Sequence, residues 1–272
     1  MKDFRNKVVV ITGAGSGMGR AYAQAFAARG ALLALNDHDA RSLQETAALL
    51  AAQGASQVLT QAFDVGDRDA METFAQAVQA RLGGAHVVIN NAGIEGSAMP
   101  AWKTSHADYE RVMRVNFHGV LHGTLAFLPQ LRARQEGAIV NVSSIMGLIG
   151  SPSQSDYCAS KFAVRGFTES LMVELHESPI SVHLVHPGGV ATNIARKPSS
   201  QEFAARYLTT PPEEIAQRVI RGIEKGQHKI ICGQDAFKTW VGSNLLPHKW
   251  LTAIVWRELR ATLDKAAYGL TR

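Results

Sequence analysis

Hydrophobic residues occur along this chain in short runs that alternate with longer stretches of helical period. The runs are almost wholly apolar and lack the alternation of apolar and polar positions that marks a half-exposed strand. They therefore predict strands buried on both faces. The predicted strands are Val8–Ile11, Ala31–Leu35, Val58–Phe63, His86–Asn90, Ala138–Val142, Val182–His186 and Lys229–Cys232.

The stretches between these runs carry apolar residues at helical spacing. Gly30, Gly54 and Gly83 lie where helices would stop, a position in which glycine is common. Alternation of strand and helix predicts an α/β, doubly wound fold with about seven parallel strands and helices on both faces. The predicted helices are Arg20–Arg29, Ala40–Ala52, Ala70–Leu82, Asp108–Leu131, Tyr157–His176 and Pro212–Glu224.

Composition and charge narrow the classes of protein that remain. Apolar residues make up 46% and charged residues 19%, as in globular proteins. The net charge of +5 is scattered without a long basic run, so nucleic-acid binding is not expected. Cys158 and Cys232 lie far apart in the sequence, which does not suggest a disulfide framework. The first motif begins too early to leave room for a signal peptide. No window approaches the ~18 apolar residues that a membrane span needs. We expect a reduced cytoplasmic protein.

A glycine-rich run joins the first predicted strand to the first predicted helix. It begins at Thr12, and its glycines would let backbone N–H groups approach an anion at the helix N-terminus, where the helix dipole is positive. A turn that is merely rich in glycine is the alternative interpretation. The run predicts a pyrophosphate site formed by Gly13, Ser16, Gly17, Met18 and Gly19.

Asp37 closes the second predicted strand, eighteen residues after Gly19. An acidic residue near this offset can accept hydrogen bonds from both hydroxyls of an adenosine ribose. A 2′-phosphate would instead meet a like charge, and no Arg or Lys stands beside Asp37 or in the glycine run to neutralise it. A helix cap or turn is the alternative role for this aspartate. The prediction is NAD rather than NADP.

Tyr157 and Lys161 stand four residues apart on a predicted helix and therefore share one face. A neighbouring ammonium lowers the pKa of a tyrosine, which is ordinarily about 10. Tyr157 could then exchange a proton with an alcohol or carbonyl while hydride passes to or from a cofactor. Packing is the alternative role for a lone tyrosine, and Cys158, off this face, is predicted to be a packing residue.

Together these motifs resemble the short-chain dehydrogenase/reductase family over about residues 5–232. Ser144 precedes Tyr157 by the family's spacing of thirteen residues, and Asn116 follows the fourth strand as the family's fourth catalytic member does. The resemblance implies a Rossmann-like fold and a catalytic tetrad of Asn116, Ser144, Tyr157 and Lys161. In it Ser144 bonds the reacting oxygen, Lys161 also holds the cofactor ribose, and Asn116 anchors a water that passes protons to solvent.

The same resemblance implies further cofactor contacts after the third, fourth and sixth strands, besides those of Tyr157 and Lys161. Their residues are Asp64 and Val65, then Asn91, Ala92 and Gly93, and then Pro187, Gly188, Val190 and Thr192. The activity implied is NAD(H)-dependent interconversion of an alcohol and its carbonyl by a homo-oligomer, either a dimer or a tetramer. An NAD(H)-binding sensor or scaffold is the alternative, but it would not need Tyr157 or Lys161.

Loops that would surround the substrate are mostly apolar, which favours a hydrophobic secondary alcohol or ketone. The residues concerned are Ile94, Met99, Met146, Leu148, Ile149, Ile194, Phe203 and Tyr207. His118 and His122 stand at helical spacing, but no third ligand matches them, so we predict no metal site and expect helix packing or a subunit contact.

The last forty residues exceed the compact family core. We predict a main dinucleotide-binding and catalytic domain over 1–233 and a helical extension of the same domain over 234–272. The extension holds Trp240, Trp250 and Trp256, and an apolar helical stripe lies opposite basic residues: Leu251, Ile254, Val255, Leu259 and Leu263 against Arg257, Arg260 and Lys265. Packing on the chain's own body or a sister subunit, a lid over the substrate cleft, and contact with a membrane surface remain open.

Overall fold

Seven parallel strands form one sheet at the centre of the molecule. This computed structural model describes residues 1–195, 197 and 200–269. The sheet order is β3-β2-β1-β4-β5-β6-β7, so the predicted number and direction of the strands are confirmed. The strands are β1 (Val8–Thr12), β2 (Leu32–Asp37), β3 (Val58–Ala62), β4 (Val87–Asn90), β5 (Gly137–Val142), β6 (Ile180–Pro187) and β7 (Lys229–Cys232).

Ten α-helices occur in the part of the chain that the structure describes. The short α7 was not predicted, because none of its residues is buried and it lacks an apolar period. The helices are α1 (Gly17–Ala27), α2 (Ala40–Ala52), α3 (Arg68–Leu82), α4 (His106–Met113), α5 (Gly119–Arg134), α6 (Ser155–Glu174), α7 (Gln201–Tyr207), α8 (Pro212–Glu224), α9 (Ala236–Leu245) and α10 (His248–Leu259). No described helix combines the length and the hydrophobicity needed to cross a bilayer.

Helices cover both faces of the sheet, as the apolar strands require. Side chains of α1, α2 and α8 pack on one face, among them Phe26 and Ile220. Side chains of α3, α5 and α6 pack on the other, where the rings of Phe74 and Phe127 meet edge to face at 5.9 Å. Each such buried side chain contributes about 1.5–3 kcal/mol through removal of apolar surface from water.

The helix predicted over Asp108–Leu131 is present, but it is not regular throughout. A π-helical turn, Arg114–His118, separates α4 from α5. Within this turn the side chain of Asn116 accepts from the backbone N of Ile94 at 2.8 Å and donates to the Ile94 carbonyl at 3.1 Å. The widened turn lets a buried helix residue bond the backbone of the loop after β4, and such turns often mark functional sites.

The winding of the sheet reverses between β1 and β4, because β1 pairs with β2 on one side and with β4 on the other. In open parallel sheets the crevice at the carboxyl ends of the strands, beside such a reversal, is where ligands bind. The predicted site residues meet at this edge: Gly13, Asp37, Asn91, Ser144 and Pro187 close or follow β1, β2, β4, β5 and β6.

Candidate active site

A cavity of about 720 Å³ opens at the carboxyl ends of the strands. Among the predicted catalytic and cofactor-binding residues, only Gly19 and Asn116 stand outside its lining. Those that line it are Gly13, Ser16, Gly17, Met18, Asp37, Asp64, Val65, Asn91, Ala92, Gly93, Ser144, Tyr157, Lys161, Pro187, Gly188, Val190 and Thr192.

The glycine loop between β1 and α1 can be built only from glycine at its key positions. Gly13 and Gly17 have φ of +68° and +51°, in the left-handed region that side chains disfavour. A Cβ on Gly13 would lie 2.9 Å from the Cα of Ala92, and one on Gly19 would collide with the Gly13 carbonyl. The absence of a side chain at Gly19 thus lets the first turn of α1 pack directly against the backbone of Gly13. The open backbone cradle at the start of α1 fits a dinucleotide pyrophosphate.

Thr12, which the sequence analysis named only as the start of the glycine run, fixes the loop after β4. Its Oγ1 accepts from the backbone N of Asn91 at 3.0 Å and of Ala92 at 3.1 Å. The Asn91 side chain returns a bond to the Thr12 carbonyl at 2.9 Å. Three hydrogen bonds therefore tie together two strand ends at the reversal of the sheet and set the floor of the cavity.

Asp37, at the end of β2, is held by backbone groups. Its Oδ2 accepts from Gly15 N at 2.8 Å, and its Oδ1 accepts from Asp39 N at 3.0 Å and lies 3.0 Å from Nδ1 of His38. The Arg20 guanidinium donates to Thr46 and to the Gly15 carbonyl, and Arg20 is not among the cavity-lining residues. The carboxylate is therefore a fixed acceptor at the end of the cavity beside β2.

Asp64 lies at the same end of the cavity but is engaged in an ion pair. Arg114, from the π-helical turn, donates to Asp64 Oδ2 at 2.8 Å, and Gly66 N donates to Oδ1 at 2.8 Å. Both charged side chains are partly exposed, so the pair contributes about 0–1 kcal/mol. Its effect is to hold the segment of Asp64 and Val65 beside the cavity.

Tyr157 and Lys161 stand on one face of α6, as predicted. The Lys161 Nζ lies 5.6 Å from the centroid of the Tyr157 ring and donates to the Val142 carbonyl at 3.0 Å. Only 3% of Lys161 is exposed, and this burial lowers its pKa to about 8. The amine is thus predominantly charged at neutral pH, held between the end of β5 and the tyrosine ring.

The pKa of Tyr157 differs from the prediction. Burial raises it to about 12, and a hydrogen bond with the Ser144 side chain opposes that rise only in part. The ammonium of Lys161 therefore does not by itself bring the phenol below its ordinary pKa. A further positive charge beside the ring would be needed to favour the phenolate.

Ser144 is oriented by a histidine that the sequence analysis did not identify. The His186 Nδ1 donates to the Ser144 carbonyl at 2.7 Å, and Ser144 Oγ accepts from Met146 N at 3.1 Å. Burial lowers the pKa of His186 to about 4, so the ring is neutral at physiological pH. The only sequence signal was its place at the end of β6, immediately before Pro187.

Asn116 lies behind the cavity wall. Its Nδ2 also donates to Ser160 Oγ at 3.1 Å, so it joins the π-helical turn to α6 as well as to the loop after β4. A Cβ on Gly93 would lie 3.3 Å from Asn116 Oδ1 and 3.5 Å from Lys161 Nζ. Gly93 thus lies beside both the amide and the ammonium, and a side chain there would crowd Asn116 Oδ1.

The substrate end of the cavity is mostly apolar, with two differences from the prediction. Leu148 is buried away from the cavity, and Met99 lies in a turn where its backbone N donates to Ser97 Oγ at 3.3 Å. The remaining predicted residues do line it: Ile94, Met146, Ile149, Ile194, Phe203 and Tyr207. The tail adds a second apolar wall of Leu246, Leu251, Ile254, Val255 and Leu259.

The carboxylate of Glu95 joins the loop after β4 to the loop after β6 at the substrate end of the cavity. Glu95 accepts from the backbone N of Lys197 at 2.9 Å and from Ser200 Oγ at 2.9 Å. The Lys197 ammonium donates in return to the Gly96 carbonyl at 2.8 Å. The loop after β4 and the loop after β6 are therefore joined across the cavity, a contact between distant residues that no local motif signalled.

The tail helices pack on the chain's own body as well as over the cavity. Tyr268 OH lies 3.0 Å from Ser153 Oγ, and its ring contacts those of Trp102 and Trp256 at 5.3 and 5.6 Å. Tyr207 OH donates to the Glu258 carbonyl at 3.2 Å. Two of the roles left open, packing and a cover for the cleft, are thus combined. Residues 270–272 of the predicted extension lie outside the described residues.

The remaining candidates take part in packing. His122 Nδ1 hydrogen-bonds the Val65 carbonyl at 3.1 Å, and the rings of His118 and His122 are 6.1 Å apart. Within the described ranges, no group of three or more His, Cys, Asp and Glu side chains could hold a metal ion. Cys158 is buried, and burial raises its pKa to about 11, as fits the predicted packing role.

Comparison with known proteins places this architecture among oxidoreductases. The profile of a protein family described as "short chain dehydrogenase" matches residues 7–202. The chain is 43% identical over 248 residues to SadH of Mycobacterium tuberculosis, covering 87% of this chain and 89% of that protein.

Solved structures agree on the fold. A short chain dehydrogenase/reductase from Burkholderia phymatum in complex with NAD superposes with a TM-score of 0.81 at 29% identity, covering 97% of this chain and 98% of that one. An alcohol dehydrogenase from Thermococcus sibiricus complexed with 5-hydroxy-NADP superposes with a TM-score of 0.72 at 28% identity, covering 82% and 93%. These neighbours differ in their cofactors.

Proposed function

The chain belongs to the short-chain dehydrogenase/reductase family of oxidoreductases, and from this we propose that it interconverts a hydrophobic secondary alcohol and its ketone with NAD(H). One observation carries the proposal. Ser144, Tyr157 and Lys161 converge in a single cavity that also contains the glycine loop and Asp37. A cofactor sensor would need the loop and Asp37 but not the tyrosine and lysine, so the enzyme is favoured.

In the proposed reaction a bound nicotinamide dinucleotide supplies the hydride acceptor or donor. Tyr157 exchanges the proton of the substrate oxygen, as general base in oxidation and general acid in reduction. Ser144 hydrogen-bonds the same oxygen, with its backbone held by His186. Lys161 holds the cofactor ribose and its charge favours the phenolate, and Asn116 supports proton exchange with solvent from behind Gly93.

The substrate class follows from the two apolar walls. Residues of the loops after β4, β5 and β6 face the tail residues Leu251, Ile254 and Leu259 across the substrate end. Arg111, Arg114 and Lys238 line the cavity and pair with Asp108, Asp64 and Glu258 at 3.5, 2.8 and 3.0 Å. Lys197 donates to the Gly96 carbonyl, so each of these cations has a partner within the protein. Burial of apolar substrate surface, about 25 cal/mol per Å², is therefore the main source of binding energy.

The test is NADH absorbance during incubation of the protein with matched panels of secondary alcohols and ketones that increase in chain length. We expect kcat/KM to rise with apolar length and to be low for polyols and for hydroxy acids of similar size. Equal rates on polar and apolar members would contradict the proposed substrate class. No change in NADH absorbance with any member would contradict the proposed oxidoreductase activity.

Cofactor preference gives a separate prediction. NAD is expected to bind at least about tenfold tighter than NADP, because Asp37 accepts from the ribose hydroxyls and repels a 2′-phosphate, and such charged bonds contribute about 1.5–3 kcal/mol. Titration calorimetry with both nucleotides measures the ratio. Asp37→Asn, which keeps an acceptor for Gly15 N but removes the charge, should narrow it. Equal affinities of the wild type for NAD and NADP would contradict the assignment of NAD as the preferred cofactor.

A homo-oligomer is also expected, because α5 and α6 expose apolar side chains on their outer faces. Leu125, Phe162 and Val173 are all exposed, Val173 to 77%. Patches of this kind mark association surfaces. Light scattering at micromolar concentration should give a dimer or tetramer, and Phe162→Asp should shift it toward smaller species. A wild-type monomer would contradict this prediction.

A further inference from the structure

The turn between α9 and α10 exposes large apolar side chains that the proposed function does not use. Leu245 is 76% exposed, Trp250 67% and Phe237, at the start of α9, 68%. Every residue from Asn244 to Trp250 is exposed. Leaving side chains of this size in water is unfavourable by about 1.5–3 kcal/mol each relative to burial. A surface that covers them would therefore be stabilised.

Positive charges outnumber negative ones on the same helices, where Glu258 is the one acidic residue. Residues 236–257 contain no Asp or Glu, although they include Lys238, His248, Lys249 and Arg257. Lys238 pairs with Glu258, but Lys249, Arg257 and Arg260 take part in none of the salt bridges formed among the described residues. Three cations are therefore available to an external anion.

Lys249 and Arg257 on α10, and Arg260 directly after it, lie on the side that faces away from the cavity. Leu251, Ile254 and Val255 line the cavity, whereas Lys249, Trp250, Ala253, Arg257 and Arg260 are exposed and recur at helical spacing on the opposite side. The outward face thus combines one tryptophan with three cations. Trp is enriched at the interface between lipid and water, and Lys and Arg are drawn to anionic lipid headgroups.

We propose that the tail helices, α9 and α10, dock this protein on the surface of an anionic phospholipid bilayer. Leu245, Leu246 and Trp250 enter the interfacial layer, and Lys249, Arg257 and Arg260 lie against the lipid phosphates. A second copy of the chain is disfavoured as the occupant, because copies meeting through this face would bring like charges together. The proposal does not rest on the proposed chemistry.

The cavity supports the same orientation. Leu246 is 40% exposed and also lines the cavity, next to Leu251 on the following helix. Apolar surface therefore continues from the exposed turn into the substrate end without an intervening charged residue between positions 239 and 247. Docked by this turn, the protein would hold its cavity next to the acyl chains of the bilayer.

Vesicle sedimentation tests the proposal with the full chain and no substrate. The wild type should bind phosphatidylcholine vesicles that contain phosphatidylglycerol and bind pure phosphatidylcholine weakly, with affinity falling as salt rises. Lys249→Gln/Arg257→Gln should weaken binding about 25-fold, since each cation near an anionic surface contributes about fivefold. Leu245→Ser/Trp250→Ser should abolish it.

Leu49→Ser is the matched control, because Leu49 is exposed on α2, which packs beside β2 and β3 at the opposite edge of the sheet from the tail. It should bind vesicles like the wild type. Quenching of tryptophan fluorescence by brominated lipid should be lost in Trp250→Phe, and thermal unfolding shows that each variant folds. Absence of wild-type binding, or unchanged binding of the tail variants, would overturn the proposal. A third result would also overturn it: no vesicle binding by the wild type, together with a smaller oligomer for Leu245→Ser/Trp250→Ser than for the wild type. That result would show that this face forms a contact between copies of the chain.

Discussion

Replacement of Tyr157 by phenylalanine is expected to reduce turnover by about 10²–10⁴, the usual contribution of a general acid–base group. The ring and its packing on α6 remain, and the substitution removes only the hydroxyl that we propose exchanges a proton with the substrate oxygen. Cofactor affinity should stay within about twofold of wild type, because the glycine loop, Asp37 and Lys161 are untouched. Steady-state kinetics and calorimetric titration with NAD measure the two effects separately.

The pH profile of the same variant supplies an independent check. Oxidation needs the phenolate, so the wild-type rate should rise with pH through the pKa of Tyr157. In the protein alone that pKa is raised to about 12, and a cationic oxidised nicotinamide beside the ring should lower the value seen in turnover. The rising limb should be absent from Tyr157→Phe. Near-wild-type oxidation with an unchanged profile would exclude Tyr157 as the base.

Lys161→Met is expected to impair binding and turnover together. It removes a buried ammonium that donates to the Val142 carbonyl and stands 5.6 Å from the tyrosine ring. Loss of a charged hydrogen bond to the ribose should weaken NAD about tenfold or more, and turnover should fall by at least about 10² because the phenolate loses its neighbouring charge. Lys225→Met, at an exposed lysine after α8, should change neither quantity.

Stability against pH tests the environment of Lys161 without any substrate. Burial lowers its pKa to about 8, below the unfolded value of about 10.4. Between these limits the unfolded chain binds a proton that the folded protein does not, so the free energy of unfolding should rise with pH from about 8 to about 10. Urea unfolding should show this slope reduced in Lys161→Met. An equal slope in both proteins would mean that Lys161 is solvated in the folded state.

The sheet could be predicted from sequence because parallel strands covered on both faces need continuous apolar runs, and the fully buried strands β1 and β4 carry that signal most clearly. The Tyr157–Lys161 pair could be predicted because both residues belong to one helix. The π-helical turn could not, since it accompanies a bond between Asn116 and the backbone of Ile94, 22 residues away, that no local pattern reveals. The same holds for His186 and Glu95, whose partners are separated from them by 42 to 105 residues.

The tail shows the same limit. Its apolar stripe was visible in the sequence, but periodicity gives a helix face without naming what the face meets. Only the packing of α10 against the cavity shows that Leu251 and Ile254 face inward and that Trp250 is left outside. The altered pKa of Tyr157 was likewise out of reach, because spacing reveals the neighbouring ammonium but not the degree of burial that opposes it.

The bond from Gly15 N to Asp37 Oδ2 has a consequence for protein engineering. A designer who wants the enzyme to accept the phosphorylated dinucleotide would begin by deleting this carboxylate. The deletion would also release the glycine loop, because the carboxylate proposed to select the cofactor accepts a hydrogen bond from Gly15 N. A change of preference should therefore require two substitutions: one at position 37 that keeps a neutral acceptor for Gly15, and a separate cation introduced nearby to receive the phosphate.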